Sequence, residues 1–212
     1  MRKQNITRIL LWLAGFIVAS YGIYFVSQGP FAVLDVWVAH VVITLRSPLL
    51  NIILFIATLF GRELLIAFIA IAVATLYLRR HAADALLLAV GTGSAGLLQF
   101  VLKHIFARPR PLFSPLTIEN TYSFPSGHSL SALVFYGLLA LFVYWYTTNH
   151  QRRVWAAVIA SLIILAIGFS RVYLGVHWLS DVIGGYLIGG WLLVLLASLR
   201  PYFVKRFGRI RP

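Results

Sequence analysis

Long apolar stretches alternate with short polar breaks along this chain, and the length of those stretches sets the first expectation. A helix rises about 1.5 Å per residue, so about 20 mostly apolar residues cross the roughly 30 Å hydrocarbon core of a bilayer. Six such stretches predict spans at about 9–27, 57–78, 84–104, 128–147, 154–171 and 179–199. The segment 31–56 is also apolar, but Asp35, His40, Arg46 and Pro48 interrupt it. It reads as an interfacial or re-entrant helix rather than a seventh span.

Composition agrees with that pattern. The chain is 61% hydrophobic and only 11% charged, against roughly 25% charged residues in an ordinary soluble domain. The expected fold class is an all-α membrane protein, with one six-span domain over residues 1–212. The amino terminus, MRKQNITRILLWLAGFIVASYGIYFV, begins like a signal peptide, but its apolar run continues to Val26. It is read as a retained first span. The Asn5-Ile6-Thr7 sequon lies on the basic flank and carries no weight. There is no cysteine, so disulfides, a thiol nucleophile and a thiolate metal site are all excluded.

The formal net charge of +13 then becomes a statement about orientation. Arg2, Lys3 and Arg8 precede the first span, Arg79 and Arg80 follow the second, and Arg152 and Arg153 follow the fourth. Arg200, Lys205, Arg206, Arg209 and Arg211 follow the sixth. With six spans all of these share one side, which the bias of basic loops makes cytoplasmic. Both termini are therefore expected on the cytoplasmic side of the cell membrane. The basic tail serves topology and the anionic lipid surface, not nucleic acid.

One motif misleads. GTGSAG, Gly91 to Gly96, matches the dinucleotide fingerprint, which works only between a strand and a helix start. Inside the third span it reads as small-residue helix packing, as do Gly185 and Gly189 in the sixth.

The opposite, outer face carries the chemistry. Three polar stretches fall there: KHIFARPRP with Lys103 and Arg110, PSGH from Pro125 to His128, and SRVYLGVHWLSD with Ser170, Arg171, His177 and Asp181. Lys103, Arg110 and Arg171 bring fixed cations to one place, and guanidinium matches phosphate oxygens two at a time. Ser126 and Gly127 sit at a helix start, where free N–H groups favour an anion, and Gly127 removes a side chain that would block close approach. His177 and Asp181 are four apart and share a face if both are helical. A carboxylate on one imidazole nitrogen leaves the other as a basic lone pair. His128 is then available as acid and base. Alone, each motif has a plain structural account: an interfacial histidine is usually packing, and Arg108 rivals Arg110 when spacing is ignored. The three together, on one face, make an anion site with a nucleophile.

The spacing K-x6-RP, PSGH and SR-x5-H-x3-D resembles the type-2 phosphatidic acid phosphatase family, with Lys103 to Pro111, Pro125 to His128 and Ser170 to Asp181 as the three elements. The resemblance selects Arg110 over Arg108. It implies a phosphohistidine mechanism without metal or other cofactor: His177 as nucleophile, Asp181 orienting it, and His128 as general acid. Lys103, Arg110, Ser126, Gly127 and Arg171 would hold the phosphate. Metal-free chemistry also suits a chain with five acidic residues, since a Mg²⁺ site needs more carboxylate than Asp181 alone.

The expected activity is hydrolysis of a lipid phosphate at the outer leaflet, phosphatidylglycerophosphate favoured and undecaprenyl diphosphate the alternative. Rival readings are a serine hydrolase on Ser126, a metal site on His128, His177 and Asp181, and an anion or lipid transporter. Arg62 and Glu63 are expected to pair with each other at the interface. Trp37, Trp145 and Trp178 read as interfacial anchors.

Overall fold

A computed structural model of the chain describes residues 29–207 together with Ile17, Tyr21, Tyr24 and Phe25. Apart from those four residues, the span expected at 9–27 lies outside the described part, as do Arg209 and Arg211. Seven helices follow: α1 (Pro30–Thr44), α2 (Pro48–Leu59), α3 (Glu63–Leu78), α4 (Ala82–Phe106), α5 (Gly127–Tyr146), α6 (His150–Tyr173) and α7 (Leu179–Phe207). No strand occurs among the described residues.

Local sequence explains several of the helix ends. Proline opens α1 and α2, where its missing N–H costs nothing and its φ is already helical. Ser47 caps α2 by accepting from the Leu50 N–H at 3.3 Å, and Asn149 caps α6 from the Arg152 N–H at 3.0 Å. Each cap satisfies one donor that the first turn leaves open.

Among the described residues, five stretches are long and apolar enough to cross a membrane: Pro48–Leu78, Ala82–Phe106, Gly127–Tyr146, His150–Tyr173 and Leu179–Phe207. The stretch expected as one span at 57–78 is divided. Helix α2 ends at Leu59 and α3 begins at Glu63. Gly61 in the break packs against the site, where an added Cβ would come within 2.9 Å of the His128 ring and 2.7 Å of Ile167. The ambiguous segment becomes α1 and α2. Helix α1 packs on α6 and α7, and α2 on α6.

Helix α5 is the centre of the bundle, packed against α4, α6 and α7, and it buries Leu130, Val134, Phe135 and Leu138. Gly185 and Gly189 let α7 approach closely, since a Cβ on Gly185 would lie 2.7 Å from the Ser126 carbonyl oxygen. Gly91 likewise packs against Leu196. Among the described residues, nothing lies within 4 Å of a Cβ at Gly93 or Gly96. Leu97 and Leu162 remain exposed on the helix surfaces, as lipid-facing side chains do.

The bundle is pinned at its basic end. Asp84, buried near the start of α4, accepts from Arg200 of α7 through both oxygens, at 2.8 and 3.0 Å, and from the Tyr146 hydroxyl of α5. Arg200 also lies 4.3 Å over the Trp145 ring, so Trp145 supports this cluster. The motif residues gather at the other end.

Candidate active site

The last turn of α4 carries Lys103, and Ala107 then takes a left-handed conformation, φ 45°, that turns the chain out of the helix. Pro109 and Pro111 restrict the chain that follows. Ser123 ties this segment to the approach of α5, its N–H donating to the Arg108 carbonyl at 2.9 Å and its hydroxyl to the Pro109 carbonyl at 3.0 Å. Helix α5 then opens at Gly127, with Ser126 before it. Arg171 occupies the last turn of α6. Gly175, at φ 73°, makes the turn that presents His177 just before α7.

His177 is not on the helix that holds Asp181, contrary to the shared-face expectation: α7 begins at Leu179. The pair meets because Asp181 reaches back. Its Oδ2 accepts from the Trp178 N–H at 2.9 Å and lies 3.4 Å from His177 Nδ1. A third-position carboxylate bonding the N–H just before the helix is half of a capping box. On the other side of the ring, Nε2 is 3.2 Å from an Arg110 guanidinium nitrogen. Guanidinium only donates, so this contact assigns the lone pair to Nε2 and the ring proton to Nδ1, facing Asp181. Burial, then the charges of Arg110, Arg171 and Lys103, hold the His177 imidazole well below its usual value of 6.5. The ring is therefore neutral at pH 7. Burial also lowers Arg110 from its ordinary value, without depriving a guanidinium of its charge near neutrality.

Protein oxygens hold the three cations in place. Arg110 donates to the Thr121 carbonyl at 2.6 Å, the Thr121 hydroxyl at 3.1 Å, the Val176 carbonyl at 2.6 Å and the Tyr122 carbonyl at 3.2 Å. Lys103 donates to the Tyr122 carbonyl. Arg171 donates to the Thr58 hydroxyl at 2.7 Å and to Glu119. Arg62, expected to pair with Glu63, instead reaches Glu119 at 3.3 Å, because the loop before α5 brings that carboxylate over the α2–α3 break.

A cavity of about 430 Å³ opens among these groups. Lys103, Arg110, Gly127, His128 and His177 line it, with Arg62, Gln99 and Glu119 beside them. Ser126, Arg171 and Asp181 are not among the described lining residues. Asp181 stands behind His177, and Arg171 reaches the cavity wall through Glu119. Ser126 is fully buried, its N–H donates to the Asp181 carbonyl at 3.0 Å and its hydroxyl accepts from Ser129 at 3.0 Å, which contradicts the phosphate-holding role expected of it and leaves it poorly disposed as a nucleophile.

Gly127 differs from its expectation. A Cβ there would lie 1.5 Å from Gln99 Oε1, so a side-chain amide fills the room that glycine leaves. Reading the motifs alone misses Gln99, Glu119 and Arg108. Gln99 did leave a signal: Thr92, Gly96, Gln99 and Lys103 are spaced four, three and four apart, which puts them on one helical face, and all four line the cavity. Arg108 turns away from the cavity and donates to Asp181 at 2.6 Å. Trp178, expected as an anchor, donates to the Pro109 carbonyl at 3.1 Å and braces the same loop, while Trp37 is exposed on α1. No group of three His, Cys, Asp or Glu side chains converges as a metal site among the described residues.

Known proteins resemble the chain in sequence and fold. The chain is 36% identical over 177 residues to the phosphatidylglycerophosphatase B of Bacillus subtilis, covering 82% of this chain and 86% of that protein. It is 34% identical over 94 residues to an undecaprenyl-diphosphatase of Sulfolobus acidocaldarius, covering 44% and 40%. The crystal structure of a transmembrane PAP2 type phosphatidylglycerolphosphate phosphatase from Bacillus subtilis superimposes with a TM-score of 0.81 at 32% identity, over 93% of this chain and 98% of that one. The family model of the PAP2 superfamily matches residues 84–205, from the buried Asp84 through the whole constellation. The chain belongs to the PAP2 superfamily and is a membrane-embedded lipid phosphatase of it.

Proposed function

We propose that the protein cleaves phosphate from phosphatidylglycerophosphate through a phosphohistidine on His177. The Nε2 lone pair attacks phosphorus, the bond from phosphorus to the lipid oxygen breaks, and His128 gives that oxygen a proton. Water then attacks the phosphohistidine, His128 takes its proton, and inorganic phosphate leaves with the imidazole restored. Asp181 on the Nδ1 side balances the charge that the ring gains. Lys103, Arg110 and Arg171 neutralise the phosphoryl oxygens, and the Gly127 amide donates to one of them. No metal or other cofactor enters the scheme.

The observation that carries this reading is the pair of contacts on His177: Asp181 Oδ2 at 3.4 Å on Nδ1 and Arg110 at 3.2 Å on Nε2, at the wall of a cavity that Lys103 and His128 also line. The choice of lipid is supported by the likeness to the Bacillus subtilis enzyme along most of the chain. Undecaprenyl diphosphate is the second reading, favoured by the likeness to the Sulfolobus enzyme. The same proposal sets both termini in the cytoplasm and the site at the extracytoplasmic face of the cell membrane. Arg79, Arg80, Arg152 and Arg153 lie at the helix ends away from the site, and short basic loops favour the cytoplasm.

Phosphate release from the two lipids, side by side in detergent with EDTA, tests the proposal. Release that His177→Ala abolishes is the expected result, and the ratio of rates ranks the substrates. Release that survives His177→Ala, or that needs an added divalent metal, overturns the mechanism.

A further inference from the structure

Asp35 lies within α1, a largely apolar helix outside the stretch matched by the family model, and its side chain is almost wholly buried. A buried carboxylate is costly unless it is paired and hydrogen-bonded. Here its partners belong to the site. Asp35 Oδ2 accepts from Arg108 at 2.9 Å and from the Ser180 hydroxyl, and Oδ1 accepts from the Ser180 N–H at 2.8 Å. The other arm of Arg108 donates to Asp181 Oδ1 at 2.6 Å and to the Ser180 hydroxyl at 2.8 Å. Asp181 Oδ2 faces His177. A continuous buried chain therefore runs from Asp35 through Arg108 and Asp181 to His177.

We propose that Asp35, acting through Arg108, is a positioning residue that keeps a net negative charge on the Asp181 side of His177. The inference rests on the proposed role of His177 as nucleophile. Its logic is charge balance. Arg108 and Asp181 alone would form a neutral pair, leaving the ring no net counter-charge as it turns cationic on phosphorylation. Lys103, Arg110 and Arg171 already surround that ring with positive charge. Asp35 neutralises Arg108, so the three groups together carry one negative charge directed at Nδ1. The Ser180 N–H belongs to the first turn of α7, whose open donors favour an anion. Asp35 thus also fixes the helix start that carries Asp181, and gives the α1 segment a part in the chemistry.

The test is Asp35→Asn, which keeps shape and an acceptor for Ser180 but removes the charge, beside the double variant Asp35→Asn/Arg108→Gln, which removes both charges and returns the set to one negative charge. Turnover of phosphatidylglycerophosphate in detergent micelles, inhibition by inorganic phosphate and thermal unfolding are measured on each. Asp35→Asn is expected to lower kcat at least about tenfold, since small losses of positioning reach about a hundredfold, while inhibition by phosphate stays within about twofold of the parent. The double variant is expected to recover at least threefold of that kcat. A smaller loss in the folded single variant, a parallel loss of phosphate affinity, or a double variant no better than the single overturns the proposal. Should Asp35→Asn not fold, the double variant alone decides: kcat within about thirtyfold of the parent supports charge balance, and a greater loss overturns it. His177→Ala, run alongside, separates the failures. Activity surviving it sinks the nucleophile assignment, whereas a dead His177→Ala with an unimpaired Asp35→Asn sinks only the role of Asp35.

Discussion

Glu119 bridges two arginines: one carboxylate oxygen accepts from Arg171 and the other lies 3.3 Å from Arg62. The carboxylate thus lies on the cation that the motif spacing assigns to phosphate, at the wall of the same cavity. A lipid phosphate brings its own negative charge to that guanidinium, so Glu119 competes with it.

Neutralising Glu119 should therefore tighten phosphate binding. Glu119→Gln keeps the volume and removes the charge. Relief of about 1 kcal/mol of like-charge repulsion corresponds to roughly fivefold, read as a lower inhibition constant for inorganic phosphate and a lower KM. A higher inhibition constant would mean that Glu119 serves to hold Arg171 in place rather than to compete.

The second prediction concerns pH. His177 is held well below 6.5 by burial and then by Arg110, Arg171 and Lys103. A lowered value means that the neutral, nucleophilic ring persists as pH falls through 6.5 and is lost only further into acid. Removing the nearest cation works in the opposite direction. Arg110→Gln should raise the His177 titration midpoint toward 6.5, followed by NMR of labelled histidine in detergent. A midpoint that stays put or falls would show that the Arg110 charge does not act on the ring.

These relationships mark where the sequence was legible. Helix content and most span positions follow from the length and hydropathy of the apolar runs, because a bilayer demands both. The family motifs bring out Lys103, Arg110, His128 and His177, all of which line the cavity. The rest depends on partners distant in the chain. Arg62 and Glu119 are 57 residues apart, so the neighbouring Glu63 was the only visible partner. His177 falls outside α7 because Asp181 satisfies the N–H at Trp178, a detail of capping that four-residue spacing does not distinguish from a helical turn.

Stability should be separable from chemistry at the opposite end. Asp84 is buried, and Arg200 meets both of its oxygens at 2.8 and 3.0 Å. Arg200→Met leaves that carboxylate without its counter-charge, a change that costs about 3 kcal/mol or more at a buried pair. Part of this is offset because Arg200 remains partly exposed. A clear drop in the detergent unfolding temperature is expected, with turnover per folded molecule kept, since Arg200 lies at the other end of the bundle. Unchanged stability would mean that Tyr146 and water suffice for Asp84.

Gly127 and Gln99 should behave as one unit. An added methyl at 127 would sit 1.5 Å from Gln99 Oε1, and the flexible amide, which lines the cavity, must move aside. Gly127→Ala is therefore expected to lower kcat/KM about tenfold or more through a displaced Gln99, the scale at which small misplacements act. Gln99→Ala clears the space. The double variant Gly127→Ala/Gln99→Ala should then be more active than Gly127→Ala alone, with a coupling energy on the order of 1 kcal/mol in the kcat/KM cycle. Additive losses would locate the harm in the new methyl itself, set against the phosphate, and would restore the simpler reason for a glycine at the start of α5.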